Sequence, residues 1–425
     1  MNNGFKLICS CLAVAATATP VAAQEAGEVN IGVSFARTKL VDKGDVFTDG
    51  VQDPEAAYET REAYHSEVKV EYFPVDSVAL VGSASTPLTT NNIPAGSLAG
   101  LPNLGDDEFV MLTAGAAFYP LKGAVRPYIG GGIAFQITTQ ERDGLAVGLN
   151  IPNAHGPYVN AGLKVAVNNG LDVFVDARKA WYSTAATGLL PLDESFTTFA
   201  EVYADAVLDP LTLQLGLGTR FGHSNDAALQ PEPREAGDVV VKAGLTNLRL
   251  RDEIDLAVAG VAQEGAGDST FEHQIPSVQL AYFLTDALAI NATLGVPPKI
   301  SVYGAGAIGP LPRLGKVRYG PTLLSLQYHL PTTGRIRPYV GAGVSYMIVF
   351  DTDDGAFENL ELSNDIGPAF EAGVEFAVGP KTGLFLDVKK AFLRPTATGT
   401  FQGLQVVGDT KLDPWAFTAG LSFTL

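Results

Sequence analysis

The sequence predicts an all-β fold, a transmembrane antiparallel up-and-down β-barrel present as two tandem eight-stranded barrels. Three observations carry that expectation. Past the first two dozen residues, no uninterrupted apolar stretch reaches the ~18 residues that a membrane-crossing helix needs. Segments of alternating apolar and polar residues recur along the chain, and blocks of sequence return about 211 positions later. Composition agrees. Hydrophobic residues make up 46% of the chain, charged residues only 17%, and glycine contributes 46 positions, as suits a barrel whose lipid-facing apolar residues alternate with lumen residues.

The first element is an export leader, expected over residues 1–23. Lys6 supplies a positive start, Leu7 to Ala18 form a short apolar run, and Val21-Ala22-Ala23 offers small residues, so cleavage is expected after Ala23. The chain's two cysteines, Cys9 and Cys11, both lie here. The processed chain therefore has no disulfide and no thiolate metal site. The apolar run directly before Cys9 is only Leu7 and Ile8, too short for a lipoprotein signal. A formal net charge of −18 argues against a nucleic-acid partner, whose phosphates require a basic surface.

Strands follow in order. Val29, Ile31, Val33 and Phe35 share one face, opposite Asn30, Gly32, Ser34 and Ala36. Tyr64, Val68, Val70 and Tyr72 oppose His65, Glu67, Lys69 and Glu71. Val159, Ala161, Leu163 and Val165 oppose Tyr158, Asn160, Gly162 and Lys164. In the strand from Leu171 to Trp181, Asp172, Phe174, Asp176 and Arg178 share the inner face. Its ten steps of ~3.3 Å, tilted by roughly 40°, span ~25 Å, the height of an outer-membrane apolar band. Trp181 and its counterpart Phe392 then belong to the outer aromatic girdle, and Lys179 and Lys390 lie near that rim. Short turns at 74–77, 121–124 and 169–170 alternate with polar stretches at 41–62, 89–107, 139–155 and 184–197, which read as outer loops.

The second half repeats the first. Arg126-Pro127-Tyr128-Ile129-Gly130-Gly131-Gly132 returns as Arg337-Pro338-Tyr339-Val340-Gly341-Ala342-Gly343, and Val173–Trp181 returns as Leu384–Phe392. Tyr72-Phe73 and Asp76 match Tyr282-Phe283 and Asp286, and Leu208-Asp209-Pro210 matches Leu412-Asp413-Pro414. The expected division is a first barrel over 24–221, a polar, proline-punctuated periplasmic linker over 222–237, and a second barrel over 238–425. One sixteen-stranded barrel is the alternative, since either arrangement removes free edges. The linker's surplus length and the strand-like ending at Phe221 favour two.

Inward positions suggest a charge ladder in each lumen. Arg126, Tyr128, Lys164, Asp176 and Arg178 are the candidates in the first copy, and Arg337, Tyr339, Glu371, Glu375, Asp387 and Lys389 in the second. They form either a polar gate or the paired interior filling that a small barrel requires. No histidines are spaced as a metal pair, no serine is placed with His65 or His155 as a catalytic pair, and no catalytic residue, metal or cofactor is expected. Asp351, Asp353 and Asp354 read as solvated loop charge, or as a bridge through divalent cations to lipopolysaccharide phosphates.

These features resemble the OmpW family. The carrying residues are the two Arg-Pro-Tyr-x-Gly-x-Gly strands, the Asp176–Arg178 and Asp387–Lys389 strands, and the closing Leu-Asp-Pro strands. Tyr282–Ala289 and Pro321–Tyr328 add to them. The resemblance covers 238–425 and, more weakly, 28–221. It implies a narrow, largely apolar lumen in the Gram-negative outer membrane and passive passage of small hydrophobic solutes. Outer-membrane lipid, lipopolysaccharide and the barrel-assembly machinery are the other implied partners. Gly420, Phe423 and Leu425 look like the terminal assembly signal, although Leu425 stands where the family ends in phenylalanine. A non-transporting surface-display barrel and a wide general porin are the alternatives.

Overall fold

The computed structural model describes residues 25–425 except 42, 61, 100, 102–103, 168–169, 192–197, 222–229, 251–253, 264–265, 270–272, 307, 309–310, 312 and 333. The leader with its Ala23 site, and most of the linker, lie outside the described residues.

Period-two alternation makes the barrel strands, and it is inverted relative to a water-soluble protein. In the strand Ala63–Val75 the buried face carries His65, Glu67, Lys69 and Glu71, while Tyr64, Val68, Val70 and Tyr72 are exposed. Apolar outside and polar inside is the pattern of a wall standing in lipid. The first barrel consists of β1 (Val29–Lys39), β2 (Ala63–Val75), β3 (Val78–Ser85), β4 (Gly105–Phe118), β5 (Val125–Asp143), β6 (Ala154–Ala166), β7 (Leu171–Ala180) and β8 (Leu211–Phe221). Each pairs antiparallel with the next. β8 then returns to β1, from Val29↔Phe221 to Lys39↔Leu211.

The second barrel repeats this with β9 (Val239–Arg249), β10 (His273–Phe283), β11 (Leu288–Gly295), β12 (Gly315–His329), β13 (Ile336–Asp354), β14 (Asp365–Ala377), β15 (Thr382–Ala391) and β16 (Trp415–Thr424). It closes between β9 and β16, from Val240↔Thr424 to Arg249↔Trp415. Two closed eight-stranded barrels replace the sixteen-stranded alternative, and closure leaves neither barrel wall with a free edge.

The stretches read as outer loops are largely strands, which corrects the sequence reading. In the first copy Lys43–Thr48, Val51–Asp53, Val147–Asn150, Ser183–Pro191 and Phe199–Val207 form a five-stranded sheet beyond the barrel. Ala56–Thr60 and Leu88–Gly96 extend the wall beside the outer end of β4. The second copy repeats the outer sheet with Ile254–Val258, Val261–Ala262, Glu358–Leu362, Thr396–Phe401 and Leu404–Thr410. Scattered polar residues hid the alternation there, yet one signal was legible. Asp49-Gly50 sits at φ 47° and 76° between paired strands, the positive-φ turn that an Asp-Gly pair favours.

Candidate functional site

Each lumen is filled by charge pairs toward the short-turn end and by apolar side chains toward the outside. In the first barrel Arg178 donates two hydrogen bonds to Glu67, at 2.8 and 2.7 Å. Glu71 accepts from Lys164 and from the Tyr119 hydroxyl at 2.7 Å, with Lys69 at 3.2 Å. Arg126 pairs with Asp172, and Arg220 lies 3.5 Å from the same carboxylate. Asp176 accepts from Tyr128 at 2.8 Å and from Asn160 at 2.7 Å. All of these charges are buried. Burial this deep is tolerable only because each has a partner.

The second barrel solves the same problem with different residues. Lys389 reaches Glu371 and, at 2.6 Å, Asp387, which also accepts from Tyr339 at 2.8 Å. Glu375 stands where the first copy has Lys164, and there Arg234, from the segment before β9, donates to it at 2.7 Å. Arg337 is only partly buried at the foot of the barrel, 3.8 Å from Glu375. Lys242, whose counterpart is Gly32, sits 3.7 Å from the centre of the Tyr339 ring. Both tyrosines lie over glycines. A Cβ on Gly162 or Gly373 would come within 2.3 Å of the Tyr128 or Tyr339 ring.

Outside these plugs the interiors turn apolar. In the first copy a cavity of about 90 Å³ lies among the outer strands, walled by Leu40, Val46, Leu104, Leu149, Ile151 and Leu208 with a polar strip of Thr90, Asn92, Asp107 and Gln136. In the second copy the equivalent cavity, about 70 Å³, is walled by Leu250, Ile300, Leu314, Val317, Phe357 and Leu412. A further cavity of about 60 Å³ lies deeper, bounded by Ile275, Ser277, Thr293, Gly295, Leu323 and Lys389. An apolar cluster including Leu248, Ile275, Val317, Leu323 and Met347 spans the space between the two. Volumes of this size hold on the order of five water molecules each, or the chain of a slender solute.

One seam of the wall is interrupted in both copies. The β2–β3 ladder ends where Thr86 N–H donates to Ser66 O at 2.8 Å, and Pro87 follows. The β10–β11 ladder ends where Val296 N–H donates to Pro276 O at 3.0 Å, and Pro297 follows. Proline has no N–H to continue the ladder. The deeper cavity of the second copy touches this seam at Ser277 and Gly295.

Two closed barrels with this interior have known counterparts. Residues 235–425 match the model of the OmpW family, and residues 9–221 match the outer membrane protein beta-barrel domain. The outer membrane protein AlkL of Ectopseudomonas oleovorans is 31% identical over 49% of this chain and 91% of its own length. The chain belongs to the OmpW family. It is therefore an outer-membrane β-barrel protein carrying two copies of the family's barrel. The dibenzothiophene metabolism operon protein PahQ of Pseudomonas aeruginosa is 28% identical over 41% of this chain and 82% of its own. The crystal structure of the outer membrane protein OprG from Pseudomonas aeruginosa is similar at 21% identity and a TM-score of 0.44, covering 46% of this chain and 99% of that one.

The remaining sequence candidates fall as follows. Trp181 and Phe392 are exposed just past the outer ends of β7 and β15. Lys179 and Lys390 turn their ammonium groups onto the carbonyls of Asp209 and Asp413. Phe423 and Leu425 are exposed, whereas Gly420 is packed so that a Cβ would meet the Ala243 carbonyl at 2.1 Å. Asp353 is held by Lys299 at 2.5 Å, which keeps its carboxyl below the usual range. Among the described residues no cluster of metal-ligating side chains occurs. Sequence reasoning missed most of the cavity walls. Val46, Leu104, Asp107, Leu149 and Ile151 come from segments read as loops, and Leu40, Gln136 and Leu208 lie outside those segments but were given no role. Lys389 was the candidate that does border the deeper cavity.

Proposed function

We propose that each barrel passes small hydrophobic solutes from the outside into the outer membrane by passive diffusion. The observation that carries this is the stacking of an apolar cavity over a floor of buried ion pairs. A hydrophobic solute gains by entering the cavity, about 25 cal/mol for each Å² of apolar surface covered. It gains nothing by pushing through Arg178–Glu67 or Lys389–Glu371, which would have to be unpaired in low dielectric. The lower path leads sideways, through the seam that ends at Pro87 or Pro297. Arg126, Tyr128, Lys164, Asp176 and Arg178, with Arg337, Tyr339, Glu371, Glu375, Asp387 and Lys389, serve as plugs that keep water and ions out. PahQ takes its name from the metabolism of an aromatic, apolar compound, which fits the same solute class.

The reading needs no catalytic group, metal or cofactor. It includes cleavage after Ala23, a first barrel over 24–221, a periplasmic linker over 222–237 and a second barrel over 238–425. Strand closure at Val29↔Phe221 and Val240↔Thr424 supports those limits. Trp181 and Phe392 anchor the outer interface. Gly420, Phe423 and Leu425 present the last strand to the barrel-assembly machinery, and the outer strands stand among lipopolysaccharide. Proteoliposomes carrying the full chain should speed uptake of toluene or octane over that of glucose. Equal acceleration of glucose, or steady ion conductance in planar bilayers, would overturn the reading and favour an aqueous pore.

A further inference from the structure

The duplication allows one cavity to be read against the other. Equivalent positions lie 210 or 211 residues apart, or 204 in the closing Leu-Asp-Pro strands, and the pairing register keeps them on the same rungs. Thr90↔Asp107 is one rung between the outer strands of the first copy, and Ile300↔Val317 is the same rung of the second. Asn92 corresponds to Val302, and Gln136 on β5 corresponds to Met347 on β13. All four polar residues line the first cavity. All four counterparts belong to the apolar lining or cluster of the second. That wall has changed character while much of the rest stays apolar: Leu40 corresponds to Leu250, Leu104 to Leu314 and Leu208 to Leu412, and where Ala206 has become Thr410 the hydroxyl is spent on the Pro395 carbonyl.

That wall is poorly explained as filling. Asp107 is 5% exposed; one of its oxygens accepts from Thr90 at 2.6 Å and from Asn92 at 3.4 Å. Gln136 is 1% exposed, lines the same cavity, and its amide oxygen has no hydrogen-bond partner. A buried acceptor left unmade costs free energy that a methionine there, as in the second copy, would not. Both groups accept hydrogen bonds and both border the cavity, so both are placed to take a donor from whatever occupies it.

We propose that the two cavities are matched to different solutes. The second takes purely apolar hydrocarbons. The first takes hydrophobic molecules with a hydrogen-bond-donating head, alcohols or phenols, whose hydroxyl is held by Asp107 and Gln136 while the chain lies along Leu40, Leu149 and Ile151. A site with fixed polar groups discriminates strongly against an analogue lacking the matching hydroxyl, whereas an apolar site rejects an added hydroxyl only weakly. The inference rests on the reading of these cavities as solute sites.

The test separates the two. The full chain in lipid nanodiscs is photolabelled with a diazirine-bearing octanol and with the chain-matched diazirine octane, and the labelled peptides are mapped by mass spectrometry. The octanol is expected to label the walls of the first cavity at least about tenfold more than the octane does, with the octane enriched in the second. Replacing the wall by the residues of the second copy, Thr90→Ile with Asp107→Val, should abolish that octanol preference and raise octane labelling of the first cavity. Retention of the barrel fold is checked by heat-modifiable gel mobility. The wild-type ratio between cavities stands on its own if the variant does not assemble. Equal ratios in both cavities, or an unchanged ratio in the assembled variant, would overturn the split while leaving solute binding intact. No labelling of either cavity by either probe would remove the solute reading itself.

Discussion

At the scale of single residues, the buried charges of the barrels divide into those that stabilise and those that do not. Glu67 and Arg178 form a two-point pair with both side chains out of solvent. Glu67→Ala leaves a guanidinium buried without its carboxylate and should cost roughly 3–5 kcal/mol. The loss is read as a lower temperature of conversion from the compact to the unfolded band on gels. Asp107 behaves oppositely. It lies at the outer end of β4, about 28 Å along the barrel from Phe118 at the other end, and so beyond the apolar band. Burial pushes its carboxyl up to about 6; Asp106 and Glu141 press the same way, and hydrogen bonds from Thr90 and Asn92 oppose them. A carboxyl whose folded pKa is raised stabilises the fold only while protonated. Its contribution is complete below about pH 4 and is lost as pH rises through about 6. Asp107→Asn should therefore raise stability at pH 8, by up to roughly 3 kcal/mol, and leave it unchanged at pH 3.5. A variant equally stabilised at both pH values would show that ionisation is not the cause. Retaining such a residue fits a group kept for binding rather than for folding.

At the scale of elements, the spanning strands were legible and the outer ones were not, for one physical reason. A strand between lipid and lumen must alternate strictly, because a polar residue facing lipid is costly. Tyr64 to Tyr72 shows this without any structure. Beyond the membrane both faces of a strand meet protein or water, so Lys43–Thr48 or Ser183–Pro191 need obey no such rule. Asp107 fell at the end of the 89–107 stretch read as a loop, and Gln136 lies in the outer half of β5, past the repeated Arg126–Gly132 block, so both escaped notice while Arg178 and Asp387 did not. Charge partners were only half readable. Arg178 and Lys389 hold equivalent positions, yet Glu67 has become Ser277 and the partner carboxylates of Lys389 come from β14 and from its own strand. The interrupted seam carries its own prediction. Ser277 and Gly295 are paired across β10 and β11, two positions before Pro297. Ser277→Cys with Gly295→Cys should lock the seam when oxidised and lower toluene uptake through the second barrel severalfold, with reduction restoring it. Undiminished uptake in the oxidised protein would place the exit elsewhere.

At the scale of the whole molecule, duplication has produced two barrels that each close on themselves, each with its own plug and its own cavity. Closure within each copy means that no wall strand of one barrel is borrowed from the other. The second half should therefore assemble alone behind the native leader. Where it is cut matters. Arg234 precedes β9 but donates to Glu375 inside the barrel foot, and both side chains are buried. A chain starting at residue 230 keeps that pair. One starting at 238 leaves Glu375 with Arg337, at 3.8 Å, as its remaining ion-pair partner among the described residues. Both are expected to form heat-modifiable barrels, the shorter one less stable by about 1–3 kcal/mol, the cost of leaving a buried acceptor short of a partner. Equal melting of the two would reduce Arg234 to a bystander of the linker. Failure of the longer chain to assemble would mean that the second barrel depends on the first, despite closing its own sheet.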